Sequence, residues 1–186
     1  MNCRTQKYGN SCGAASLLCA ALDAGMNKPP AVHGNTDVAE ESLYLYTSGQ
    51  RKNIKKLKDP EQWGYSLPSG ICTAAKTVGF NQVDAYIDSG SLIAQGILGI
   101  YSNEVADTQT AGGTVTNTTY DWENAKDRCL VLVAWDPAPT NGLHWVYAYG
   151  GQVMDPGSGS LWTSQQFKSN VLSGKGVVVG IFLTFQ

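Results

Sequence analysis

Charge is scarce in this chain and nearly cancels: 13 lysines and arginines stand against 15 aspartates and glutamates. A net charge of −2 offers no basic surface to nucleic acid or to an anionic membrane, so neither is expected as a partner. No run reaches the roughly 20 apolar residues of a membrane helix. No basic stretch followed by an apolar run and a cleavage site marks a signal peptide. The expectation is a protein made and folded in a cytosol, with any export by a route that needs no cleavable signal. The five cysteines, Cys3, Cys12, Cys19, Cys72 and Cys129, are odd in number, too sparse for a disulfide scaffold and spaced for no zinc site. Reduced thiols, and no metal or organic cofactor, are therefore expected. Histidine is rarer still, limited to His33 and His144.

The remaining composition suits one ordinary globular domain over residues 1–186. With 42% apolar residues the chain is long enough for a sizeable core and short for two comfortable ones. The 21 glycines, with many Ser, Thr and Asn, imply numerous turns and hence a sheet-containing fold.

The most informative stretch is Gln6-Lys-Tyr-Gly-Asn-Ser-Cys12-Gly13-Ala-Ala-Ser-Leu-Leu. A run of small residues starts at a cysteine, and the chain after it reads as helix. A thiol at a helix N-terminus faces unpaired backbone N–H groups and the positive end of the helix dipole, which favour a nucleophilic thiolate. Gln6, on a returning loop, is placed to aim its amide N–H at a developing oxyanion. The bland alternatives are a buried helix cysteine and a polar loop glutamine.

A histidine and an aspartate appear late in the chain. In Gly142-Leu-His144-Trp-Val-Tyr-Ala-Tyr-Gly150-Gly151-Gln-Val-Met-Asp155-Pro-Gly, two strands flank a Gly-Gly hairpin signal. With Gly150 and Gly151 as the turn, Tyr149 pairs with Gln152 and Val146 faces Asp155. His144 then shares a face with Asp155 as its diagonal neighbour, about 7–8 Å away at Cβ; a one-residue bulge would break this. Asp155 would fix the tautomer of His144, and His144 would take the proton of Cys12. Gln6 and the Cys12 backbone N–H would hold the oxyanion. Asp136, followed by Pro137, is the rival acid, and His33 in its Pro/Gly/Asn loop reads as a surface side chain. Trp145 is either a shield for the pair or plain core.

The coarse pattern is helices first and strands last, the order of an α+β domain. Helices are predicted over 12–24, 37–47 and 69–78, the last capped by Ser66 or Ser69, with short ones over 91–98 and 162–172. Strands are predicted over 130–135, 144–149, 152–155 and 176–185, forming an antiparallel sheet. The basic run from Arg51 to Lys58 reads as a solvated face rather than an acidic-partner contact. Residues 102–127 form a long polar segment.

The Gln-x5-Cys-Gly-x-x-Ser-Leu opening and the His-Trp-Val…Asp-Pro-x-x-Gly close resemble the papain-like cysteine peptidase superfamily. They look most like the bacteriocin-processing (double-glycine leader) peptidase domain and its stand-alone relatives. Asp37–Tyr46 and Leu67–Phe80 are similar to that family's second and third helices, and Leu130–Trp135 to the strand before its histidine. The resemblance implies a papain-like α+β fold, with the cysteine helix packed on a C-terminal antiparallel sheet. It also implies hydrolysis of a peptide or amide bond in a peptide or protein substrate. Two departures stand out: Ser11 occupies a position that is often acidic, and no transporter segment is present. Cell-wall peptide amidases and acyltransferases share this chemistry, and a catalytically inactive binding module is the alternative of another class. A compact hydrolase without a leader also suits a secreted bacterial effector.

Overall fold

The protein is described from a computed structural model over residues 1–49, 59–135, 142–173 and 176–186. Its first helix, α1 (Cys12–Asp23), is buried from Cys12 through Ala21, on every side rather than along one stripe. A helix that is apolar all round belongs inside. Helix α2 (Asp37–Thr47) starts where the Thr36 hydroxyl accepts the Ala39 N–H at 3.3 Å. Its buried side chains include Glu40, Leu43, Tyr44 and Thr47, the i, i+3, i+4, i+7 stripe of an amphipathic helix. Helix α3 (Pro68–Val78) opens on proline at its first position and ends at Gly79 in the left-handed conformation, as proline's missing N–H and glycine's missing Cβ favour.

Strand β1 (Val83–Ile87), helices α4 (Leu92–Ile100) and α5 (Glu104–Thr110) and strand β2 (Thr114–Thr116) come next. After them lie β3 (Arg128–Trp135), β4 (Leu143–Tyr149), β5 (Gln152–Asp155), β6 (Ser160–Thr163) and β7 (Gly176–Phe185). They form one seven-stranded sheet in the order β2-β1-β7-β3-β4-β5-β6. The fold is α+β. Every neighbouring pair is antiparallel except β1 with β2, which is parallel. The four strands expected from the sequence pair antiparallel, and the additional strand β2 makes the whole sheet a mixed one.

Strands β3 and β4 are buried on both faces. Leu130, Leu132, Trp145 and Tyr147 join the core shared with α1, α2 and α3, whereas Cys129, Val131, Val146 and Ala148 join a second core with Trp122 and Phe167. Burial on both sides explains the unbroken apolar run of β3. Among the described residues, no helix is long and apolar enough to cross a membrane.

Several boundaries differ from those the sequence suggests. The serines do not cap α3: Ser69, its second residue, donates its N–H to the buried carboxylate of Glu104 on α5, while the Ser66 hydroxyl goes to Thr47. Residues 162–172 begin as the end of β6, then form a single helical turn, Ser164–Gln166, and a wider turn, Phe167–Leu172. The polar segment 102–127 contains α5, β2 and the short 3-10 turn Trp122–Asn124. The basic run 51–58 and Asp136 lie outside the described residues.

The β4–β5 hairpin has the predicted turn. Gly150 and Gly151 take φ of 58° and 74°, the two positive values of a tight type I′ turn, which glycine adopts without steric cost. Tyr149 pairs with Gln152 and Tyr147 with Met154, and the same register places Val146 opposite Asp155. Gly151→Val forces a β-branched residue into the left-handed region and is expected to cost about 1–2 kcal/mol. Gly150→Asn, a residue that this turn accepts, stays within about 0.5 kcal/mol. Urea midpoints of the two variants and the wild type check both.

Candidate active site

Cys12 is the first residue of α1, and its side chain is 2% exposed. The earliest intrahelical bond described runs from the Ala15 N–H to the Ser11 carbonyl at 2.9 Å, so the amides of Cys12, Gly13 and Ala14 lie outside the helix's own ladder. The next position admits only glycine. A Cβ on Gly13 would stand 2.5 Å from Ser66 Cβ and 3.1 Å from Trp145 Cδ1, so the N-terminus of α1 is pressed between the approach to α3 and strand β4. Trp145 completes the clamp: its indole N–H donates to the Ser66 carbonyl at 2.9 Å and its backbone N–H to Cys12 Sγ at 3.4 Å. Trp145 is therefore core and sulfur contact at once.

His144 precedes Trp145 on β4, and Asp155 ends β5. His144 Nε2 lies 2.7 Å from Asp155 Oδ1. Both are nearly buried, at 8% and 9% exposure, so the pair is shielded and its electrostatics are strong. The Trp135 ring is tilted against the imidazole with centroids 6.0 Å apart. Burial alone pushes the imidazole pKa down. The Asp155 carboxylate bonded to the ring and the Cys12 sulfur beside it outweigh burial and carry the pKa up to about 9. With Nε2 on Asp155, Nδ1 is the nitrogen left for the sulfur. Burial likewise works against the Asp155 charge, but the imidazole, the Gly157 N–H and the Ser158 hydroxyl bond its carboxylate and hold it below the usual range. The structure thus brings Cys12, His144 and Asp155 together.

Gln6 is placed differently from the expectation. Its backbone N–H donates to the Pro156 carbonyl at 2.8 Å, which sets it beside the end of β5. Its side-chain Nε2 bonds the Tyr8 and Gly9 carbonyls at 2.7 and 2.9 Å. Both amide protons are spent inside the Gln6–Ser11 turn, whose carbonyls are the nearest acceptors. His33 is exposed in the short turn Ala31–His33. All five cysteines are free. Burial raises the thiol pKa of Cys3, Cys72 and Cys129, and pushes that of Cys19 up to about 12. Among the described residues, no three His, Cys, Asp or Glu side chains converge as a metal site. A small apolar pocket adjoins the site, lined by Leu67, Pro68, Ile97, Tyr101, Leu143 and Trp145.

A thiol beside an ionisable imidazole, itself oriented by a buried carboxylate, is equipped for nucleophilic attack on a carbonyl. Comparison with known proteins points the same way. The family described as Invasion plasmid antigen J, cysteine protease, matches residues 4–183. This chain belongs to that family. The Cysteine protease IpaJ of Shigella flexneri is 33% identical over 171 residues, a match that covers 84% of this chain and 64% of that protein. The chain therefore spans less than two thirds of that relative's length. No solved structure matches. Gln6, Cys12, His144 and Asp155 all fall inside the IpaJ-family span.

Sequence reasoning missed Glu40, which is fully buried beneath the loop that leads to Cys12. It accepts the Lys7 N–H at 2.8 Å and the Ser11 hydroxyl at 2.5 Å through Oε1, and pairs with Arg4 at 2.6 Å through Oε2. The signal was available: a carboxylate sits in the stripe 40, 43, 44, 47 that otherwise faces the core, and carboxylates are rarely buried without a partner.

The His144–Asp155 pair makes stability depend on pH at both ends. The imidazole pKa is raised from 6.5 to about 9, so its contribution is complete below about pH 6.5 and is lost as pH climbs through 9. The Asp155 pKa is lowered, so its contribution is present above about pH 4 and is lost as pH falls through the folded-state value. Asp155→Asn is expected to be less stable in between and to flatten the alkaline decline. Urea midpoints measured against pH for both proteins check this.

Proposed function

We propose that the protein is a cysteine peptidase that hydrolyses a peptide or amide bond through Cys12, His144 and Asp155. The observation that carries this reading is the convergence of three side chains: Asp155 bonds the His144 ring at 2.7 Å, and the Cys12 sulfur meets the backbone N–H of the next residue, Trp145, at 3.4 Å. Membership of a family of cysteine proteases supports it. Cys12 gives its proton to His144, and the sulfur attacks the carbonyl carbon. The resulting oxyanion is held by the Cys12 backbone N–H, and by Gln6 once its amide leaves the Tyr8 and Gly9 carbonyls. As the tetrahedral intermediate collapses, His144 returns the proton to the leaving amine and a thioester remains on Cys12. His144 then draws a proton from water, hydroxide displaces the sulfur, and the thiol is restored.

The mixed sheet with a cysteine helix packed on one face supports a papain-like arrangement over a single domain, 1–186, related to the bacteriocin-processing peptidases. The family description as an invasion plasmid antigen supports the role of a bacterial effector that leaves the cell. The substrate is a peptide or protein, with no metal or organic cofactor in any step.

Reactivity mapping tests the reading. Iodoacetamide is expected to alkylate Cys12 at least about tenfold faster than Cys3 near pH 6, and His144→Ala is expected to abolish the difference. Mass spectrometry of cysteine-containing peptides gives both rates. Equal rates in the wild type would overturn the proposal.

A further inference from the structure

Among the described residues, four helical segments are preceded by a serine or threonine, the residue types that normally accept an N–H from the first turn. Three use it. Thr36, Ser91 and Thr163 accept the N–H of Ala39, Ala94 and Gln166, with ψ of 158°, 111° and 153°. Ser11, before α1, does not: its ψ is 12° and its hydroxyl makes no bond to the helix. That hydroxyl points the other way, to Glu40 Oε1 at 2.5 Å, with the Tyr8 carbonyl at 3.0 Å and the Tyr8 N–H donating to it at 3.1 Å. The hydroxyl donates to the Glu40 carboxylate, a strong acceptor, and accepts from the Tyr8 N–H, and these two bonds together hold it turned away from the helix amides.

The arrangement has a cost on two counts. Leaving a helix uncapped forfeits about 1 kcal/mol, and burying a carboxylate is expensive unless it is fully paired. The chain meets the second condition: Glu40 is 0% exposed, and its other oxygen is paired with Arg4. Arg4 in turn bonds Asn35 and Asp37, both at 2.9 Å. The same carboxylate also holds the Lys7 N–H, so it ties down both ends of the Lys7–Ser11 loop that joins Gln6 to Cys12.

We propose that Glu40 is a positioning residue that holds Ser11 off the N-terminus of α1 and so leaves the helix's first amides, and their partial positive charge, available to the negative charge that develops at Cys12. The inference rests on Cys12 being the nucleophile. A serine hydroxyl turned onto Gly13 or Ala14 would satisfy one of those amides and swing the loop into the extended entry seen at the other helices. The charge on the sulfur and on the oxyanion would then meet a weaker field. Glu40 touches no reacting atom in this account and acts only through Ser11 and the loop.

The test uses the full chain and two probes of Cys12: alkylation by iodoacetamide, and acylation by p-nitrophenyl acetate, in which the sulfur attacks the ester carbonyl and expels p-nitrophenolate. Glu40→Ala frees the serine and is expected to slow both reactions about five- to tenfold. Adding Ser11→Ala removes the competing cap and is expected to restore both rates to within about threefold of wild type. If Glu40→Ala does not fold, Glu40→Gln, a weaker acceptor of nearly the same shape, replaces it in both proteins. Recovery in the double variant supports the proposal, because a purely structural role for Glu40 would be worsened, not relieved, by a second deletion. Unchanged or faster rates in the single variant, or no recovery in the double one, would overturn it. A wild type whose Cys12 reacts no faster than Cys3 overturns the nucleophile reading itself, and that is seen before any Glu40 substitution is made.

Discussion

The site depends on one antiparallel register. A side chain in a strand changes face with every residue, so a slip of one position between β4 and β5 would carry His144 away from Asp155. The paired positive φ values at Gly150 and Gly151 leave no room for such a slip. They fix Tyr149 opposite Gln152 and, through two further pairs, bring the imidazole to 2.7 Å from the carboxylate. Both strands are buried on both faces, so the register is also held by two apolar cores rather than by the turn alone. What looks like a chemical feature is thus a consequence of hairpin geometry.

The second constraint is the placement of α1. A wholly buried helix cannot rotate without disturbing every neighbour, and the close approach of Gly13 to Ser66 and Trp145 fixes its first turn against the sheet. Because Trp145 is the residue after His144, the strand that carries the imidazole also supplies the backbone N–H that meets the sulfur. The N-terminal segment closes the site from the other side, through the Gln6 bond to Pro156 and the Glu40 network under the Lys7–Ser11 loop. Cys12, His144 and Asp155 come from three elements, yet all three are fixed by contacts within a few residues of one another in space.

Local signals in the sequence were readable and distant ones were not. The hairpin, α1, α2 and the run of β3 each arise from patterns within a dozen residues, and their bounds are close to those expected. Strand β1 is short, and its partner β7 lies almost a hundred residues later, so nothing nearby identifies it. The same holds for β2, three residues paired in parallel with β1. Glu104 caps α3 across more than thirty residues, which is why the nearer serines look like the caps in the sequence. Gln6 shows the limit at the site itself: its position on the loop was legible, but the carbonyls that occupy its amide arise from the fold of a turn that spacing does not specify. Glu40 was legible in principle, as a charge in an apolar stripe, and its meaning emerged only with Arg4, Lys7 and Ser11 around it.

The catalytic reading turns on the state of His144. Its ring signals, followed by NMR against pH in the wild type and in Cys12→Ala and Asp155→Asn, test it most directly. The expected imidazole keeps its second proton far above neutrality, to about pH 9, and loses it at lower pH in each variant, because the sulfur and the carboxylate both hold it. A ring that titrates near 6.5, the ordinary value for histidine, and is indifferent to both substitutions would contradict this, since His144 would then be only a buried side chain of the core.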